Sequence, residues 1–166
     1  SKSEVYNLAH IALKEAKEKR AKVIFFNDNR ALSEKTHNNI MVVNTIHSAI
    51  ENDRIVPYFQ GIVDNKTRRI TKYEALIRMI DDEGRVVSPF LFLEHAKKSK
   101  LYDKLTQIMI AKTFAVFETL DYDFSLNLTL HDIISKETRT FLYNALEKSS
   151  AANRLVFEIV ETEEIE

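Results

Sequence analysis

The stretch TKYEALIRM, residues 71–79, sets a carboxylate and a guanidinium inside an otherwise apolar segment rich in β-formers, and neither charge sits at an end of it. In an extended chain the side chains alternate, so Glu74, Leu76 and Arg78 fall on one face and Tyr73, Ala75 and Ile77 on the other. Two opposite charges, four residues apart, then share a face. The question is what that face holds.

Working outward, IVPYFQGIVD (55–64) reads as a strand, DNKT (64–67) as a turn and RRITKYEALIRM (68–79) as a second strand. So short a connection makes the two strands antiparallel neighbours. DDEGR follows as a loop, and SPFLFLEHAKKS opens a helix with Ser88 as its cap and Pro89 at its first position. LYDKLTQIMIAKTFAVFETL is a long amphipathic helix, DFSLNLTL an alternating strand, ISKETRTFLYNALEK a further helix and RLVFEIVE a further strand. Strands alternating with helices from Tyr73 onward predict an α/β fold with a mainly parallel sheet. Upstream, Val5, Leu8, Ala9, Ala12, Leu13 and Ala16 stand at helical spacing, KVIFF (22–26) is β-rich, NDNR is a turn, and a second helix begins near Ser33 and runs to about Asn52.

Three strands each offer one oxygen-bearing side chain: Glu74, Asn127 in SLNLTL, and Glu158 in VFEIV. Two carboxylates and an amide oxygen suit a hard divalent cation such as Mg²⁺. The same three residues are equally what a sheet shows when strand-borne polar groups face solvent or satisfy one another. Spacing alone leaves both readings open. The histidines, His10, His37, His47, His95 and His131, have no paired spacing and receive no role.

Composition narrows the classes. The chain has 166 residues, 45% hydrophobic and 30% charged, with net charge -1, which is globular and gives no electrostatic case for a nucleic-acid polymer or an acidic membrane as partner. No apolar run is long enough for a membrane span. The absence of cysteine fits a reducing compartment, with the cytoplasm as default and upstream segments free to anchor a parent protein. A Ser at position 1 and the strand-like, acidic VFEIVETEEIE at the other end suggest a piece of something longer.

These residues also carry a resemblance. YFQGIVDNKTRRITKYEALIRM resembles the opening of the EAL domain, the cyclic di-GMP phosphodiesterase family, whose name Glu74-Ala75-Leu76 spells and whose ExLxR form Arg78 completes. SPFLFLEHAKKSKL, SLNLTL and FEIVETEE are similar to that family's next three blocks, in order. LAHIALKEAKEKRAKVIFF resembles the final helix and strand of GGDEF domains, the diguanylate cyclases, with His10 where Asp is usual. The resemblance implies a C-terminal GGDEF-like remnant over 1–30, a connector helix over 31–54, and over 55–166 the N-terminal half of a TIM-type (β/α)₈ barrel with an antiparallel first strand. A whole barrel needs about 250 residues.

By the same resemblance Glu74, Asn127 and Glu158 are metal ligands for Mg²⁺ or Mn²⁺, Arg78 contacts a substrate phosphate, Gln60 lines the substrate groove and Glu161 steadies an active-site loop. The catalytic groups are expected in a second half of the barrel. The implied partner is cyclic di-GMP, opened to linear pGpG by metal-assisted cleavage; the alternatives are a degenerate EAL domain that senses the dinucleotide or serves as an interaction module, and a structural α/β domain. An open half-barrel is expected to form a homodimer or a swapped assembly. Three positions depart from the family pattern without touching an implied ligand: Gly61 stands for Pro, Lys97-Lys98-Ser99-Lys100 for Glu-x-x-Gly, and Val160 for Thr.

Overall fold

The computed structural model describes residues 29–160. The expected GGDEF-like helix and strand, up to residue 28, lie outside the described residues. The chain divides into two units, Ser1–Val42 and Val43–Glu166. Helix α1 (Asn29–Glu51) begins in the first and ends in the second. It starts before Ser33, so the last two residues of NDNR are helical and not a turn. Arg30, Ala31 and Leu32 are good helix formers and extend the first turn backward.

Two strands, β1 (Ile55–Val63) and β2 (Ile70–Ile80), pair antiparallel with Gln60 opposite Glu74 and Phe59 opposite Ala75. Their turn is built by Asp64, whose carboxylate accepts the backbone N–H groups of Lys66 at 3.0 Å and Thr67 at 2.6 Å. The Thr67 N–H holds the Asp64 carboxyl below its ordinary pKa. DDEGR is more than a loop: it closes a second hairpin, from β2 into the two-residue strand β3 (Val86–Val87). Asp81 accepts the N–H groups of Glu83 and Arg85, and Gly84 takes the left-handed conformation, φ 79°, that glycine adopts without strain.

A 3₁₀ turn (Pro89–Leu91) and helices α2 (Leu93–Lys98) and α3 (Tyr102–Phe117) lead to β4 (Asp123–Thr129). Helices α4 (Leu130–Ile134) and α5 (Lys136–Lys148) and a 3₁₀ turn (Ala152–Arg154) lead to β5 (Leu155–Val160). Ser88 does occupy the cap position and Pro89 the first helical one, but the Ser88 side chain makes no capping bond, and the turn closes instead through Leu91 N–H to the Ser88 carbonyl at 3.0 Å. The helix expected over ISKETRTFLYNALEK is α5, and a short helix not expected from the sequence, α4, precedes it. Thr129 and Asp132 form a reciprocal capping box that starts α4 at the strand's end, and Ser135 caps a fresh start by accepting the Thr138 N–H at 3.3 Å.

The sheet order is β1-β2-β4-β5, with β3 on β2; β4 runs parallel to β2 and β5 parallel to β4. The chain is therefore α/β, a parallel run opened by an antiparallel strand, consistent with part of a (β/α) barrel whose first strand is antiparallel. One sheet face is apolar. Ala75, Phe124 and Leu126 pack on Met109, Ile110, Phe114 and Phe117 of α3. Phe117, fully buried, stacks on Phe124 at 4.3 Å and meets the edge of Phe59 at 5.2 Å. Lys112 ties α3 to the start of β1 by donating to the carbonyls of Asp53 (3.0 Å) and Ile55 (2.7 Å).

Phe117→Ala should cost about 3–5 kcal/mol, because it removes a fully buried ring from between two others. Chemical denaturation of the two proteins measures it; a loss below about 1 kcal/mol would mean that this cluster does not hold helix α3 to the sheet.

Candidate functional site

The helices cover one face of the sheet, and alternation assigns the remaining residues to the other. Gln60 is level with Glu74, Glu74 with Ser125, and Asn127 with Glu158. Gln60, Glu74, Arg78, Asn127 and Glu158 therefore all stand on the polar face, opposite the packed helices. Glu161 lies outside the described residues.

Two pairs form across strands. The Asn127 amide nitrogen donates to Glu74 Oε1 at 2.7 Å. Glu158, although level with Asn127, is held by another residue: Lys72 Nζ lies 2.9 Å from its Oε1. That contact, together with the nearby Ser125 hydroxyl, keeps the Glu158 carboxyl below its ordinary pKa. Gln60 is exposed and stands beside Glu74 without joining these pairs.

Arg78 is arranged differently. Its Nη1 donates to the Ile77 carbonyl at 2.7 Å, and its guanidinium carbon lies 5.7 Å from the centre of the Tyr58 ring on β1, a cation–π distance. None of the ion pairs among the described residues engages it. A guanidinium fixed in this way, with no carboxylate on it, suits a phosphate or carboxylate of a ligand.

Lys72 and Ser125 received no role from the sequence. The signal for both was the alternation itself, since Lys72 precedes Glu74 by two residues and Ser125 precedes Asn127 by two. Ser125 is fully buried, and its hydroxyl, near the Glu158 carboxyl, makes no hydrogen bond of ordinary geometry within the protein. A buried, orphaned hydroxyl level with Glu74, two carboxylates and an amide oxygen match in kind the oxygen set a hard cation takes. Among the described residues no group of three His, Cys, Asp or Glu could hold a metal by itself. Among the described residues the Lys72 ammonium is the cation on Glu158.

Beyond Ala75 and Leu126 strands β2 and β4 separate, and a cavity of about 370 Å³ opens between them and the helical layer. Arg78, Asn127 and Thr129 line its strand side, and Phe90, Tyr102 and Met109 its helical side. Burial pushes the Tyr102 phenol up to about 12, so it stays a donor, reaching Asp132 Oδ2 at 3.3 Å. This mainly apolar cavity adjoins the polar face at Arg78 and Asn127.

The family model described as EAL domain matches residues 43–166. The signaling protein YkoW of Bacillus subtilis (strain 168) is 28% identical over 108 residues, 62% of this chain and 14% of its own length. Among solved structures, the PaMucR phosphodiesterase in complex with c-di-GMP superposes with a TM-score of 0.64 at 18% identity, covering 70% of this chain and 50% of that one. Vibrio cholerae LapD, as an S helix-GGDEF-EAL chain bound to c-di-GMP, gives 0.64 at 20% identity, covering 73% of this chain and 30% of that one. The chain thus spans at most half the length of these relatives, and the structural likenesses speak for the fold.

The Lys72–Glu158 pair has a pH signature. Because it keeps Glu158 ionised in the folded chain, its contribution to stability is present above the ordinary glutamate range and fades as the pH falls through the lowered folded value. A carbon-13 carboxyl titration should give Glu158 a midpoint below that of an exposed glutamate, moving up in Lys72→Met. An ordinary midpoint in the unaltered chain would remove the ion pair from the solution structure.

Proposed function

The chain belongs to the EAL domain family, and on that premise we propose that residues 55–166 supply the N-terminal half of a domain that binds cyclic di-GMP and, in its complete form, hydrolyses it to linear pGpG. The observation that carries this reading is the shared sheet face of Glu74, Asn127, Glu158 and Arg78, drawn from three neighbouring strands. Arg78 binds a phosphate of the dinucleotide through its uncommitted guanidinium, and Gln60 lines the groove beside it. Glu74, Asn127 and Glu158 are the residues that would hold Mg²⁺ or Mn²⁺, and Glu161 steadies a neighbouring loop. A bound divalent ion supplies Lewis-acid stabilisation of the oxygens that enter and leave phosphorus. The groups that activate water come from strands beyond these, so the catalytic residues are not among the ones named.

Upstream, the reading continues as a GGDEF-like remnant over 1–30 and a connector over 31–54; the helix Asn29–Glu51 lies where a connector would. Such an order of parts is that of the Vibrio cholerae chain described above. Taken alone, residues 1–166 leave β5 paired on one side, with Phe157 and Ile159 exposed among the described residues. The isolated chain therefore associates with a copy of itself through that edge.

A second reading, a cyclic di-GMP sensor without turnover, is favoured by one observation: Glu158 already has a cation, the Lys72 ammonium.

The complete protein should open cyclic di-GMP in the presence of Mg²⁺ or Mn²⁺ and lose that activity in Glu74→Ala, while the 166-residue chain alone turns over negligibly and scatters light as a dimer or larger. Arg78→Ala should weaken dinucleotide binding roughly tenfold to a hundredfold, the usual range for a charge-assisted hydrogen bond to phosphate. Binding without turnover by the complete protein would select the sensor, and no binding at all would sink both readings.

A further inference from the structure

Resting on the reading of the polar face as a cyclic-dinucleotide groove, we propose that Lys72 is a resident cation of that groove: its ammonium holds Glu158 where a divalent ion would otherwise bind, so the dinucleotide is taken up without a divalent ion, and the ion can bind only by displacing the ammonium.

Three features carry this. The first is position. Lys72 sits on β2 two residues before Glu74, on the same face, and its side chain crosses β4 to place Nζ 2.9 Å from Glu158 Oε1. This is a contact between non-adjacent strands, made inside the constellation and not at its rim. The second is shielding. The two side chains are 25% and 36% exposed, so water screens the pair less than it screens a surface ion pair, which contributes little.

The third is charge balance. Among the described residues of this face Glu74, Glu158 and, exposed at the start of β4, Asp123 are negative, while Lys72 and Arg78 are positive. Without Lys72 the Glu158 carboxylate would have no cation on it, and a divalent ion would be drawn in to neutralise it. With Lys72 the Glu158 carboxylate has its counter-charge before any ligand arrives. A divalent ion must then break the Lys72–Glu158 contact and accept a displaced ammonium as a near neighbour, both of which oppose its binding. The ammonium and the divalent ion thus compete for Glu158, and metal loading becomes an event separable from dinucleotide binding.

The test uses the complete protein as wild type and as Lys72→Met, Lys72→Gln and Lys72→Arg. Mn²⁺ binding is read from the electron paramagnetic resonance of the free ion, and cyclic di-GMP binding from calorimetry with and without a chelator. The expected result is dinucleotide binding by the wild type in chelator, Mn²⁺ binding roughly tenfold tighter in the two neutral variants, and no tightening in Lys72→Arg, which keeps the charge. Should the neutral variants fail to fold, the unaltered protein still answers: Mg²⁺ titration should move the Lys72 ε-methylene resonance as the ammonium is released. The proposal is overturned if the neutral variants bind Mn²⁺ no tighter than the wild type, if the ε-methylene resonance is unmoved at saturating Mg²⁺, or if the wild type needs Mn²⁺ to take up the dinucleotide. Each of these leaves the groove reading intact. Failure to bind cyclic di-GMP with or without metal would overturn the groove reading itself.

Discussion

The pleat of β2 is the constraint on which the rest depends. Tyr73, Ala75 and Ile77 point into the helical layer, where Ala75 is almost fully buried beside Phe124, Leu126 and the rings of α3. The intervening Lys72, Glu74, Leu76 and Arg78 have no choice but the opposite face. A slip of one residue would bury the charges and expose the core, so the packing that stabilises the sheet also fixes where the carboxylates stand. The geometry of the candidate site is thus a consequence of the core. Asn127 and Glu158 inherit it through parallel register with β2 and with each other.

A sheet face with two carboxylates needs partners for them, because an uncompensated, partly buried charge is costly. The chain provides both: Asn127 for Glu74, and Lys72 for Glu158. Arg78 is steadied by the Tyr58 ring and a neighbouring carbonyl, which orient it without neutralising it. These arrangements leave a face that is ordered before a ligand arrives and that still offers one uncommitted guanidinium. Such preorganisation lowers the ordering cost of binding an anionic ligand.

Much of this was legible in the sequence because it depends on period alone. The two-residue alternation places Glu74 with Arg78 and separates Phe124, Leu126 and Leu128 from Ser125 and Asn127; the short DNKT turn makes β1 and β2 antiparallel. What period does not specify was missed. Lys72 reaches Glu158 across an intervening strand, which requires the register and twist of three strands and the reach of a long side chain. Whether the Ser88 hydroxyl turns toward its helix depends on the tertiary surroundings, and here the backbone closes the turn. The short helix α4 comes from Thr129 and Asp132, whose pairing falls at a strand end where a helical pattern gives no warning, and it ends at Ser135, which caps α5. The two-residue strand β3 is too short for any periodicity to declare it.

The central claim is that the polar face of the sheet, and not the neighbouring apolar cavity, receives the ligand. A methyl-resolved NMR titration of the complete protein with cyclic di-GMP tests it directly, since the two faces carry different methyl groups. Ile62 and Val156 stand on the polar face, level with Lys72 and Ser125, and do not line the cavity; Ala75, Ile77 and Leu126 stand on the other face and do, and Leu76 lines the cavity from the polar face. The account predicts large shifts at Ile62 and Val156 and small ones at Ala75, Ile77 and Leu126. Shifts concentrated at Ala75, Ile77 and Leu126, with Ile62 and Val156 unmoved, would contradict it.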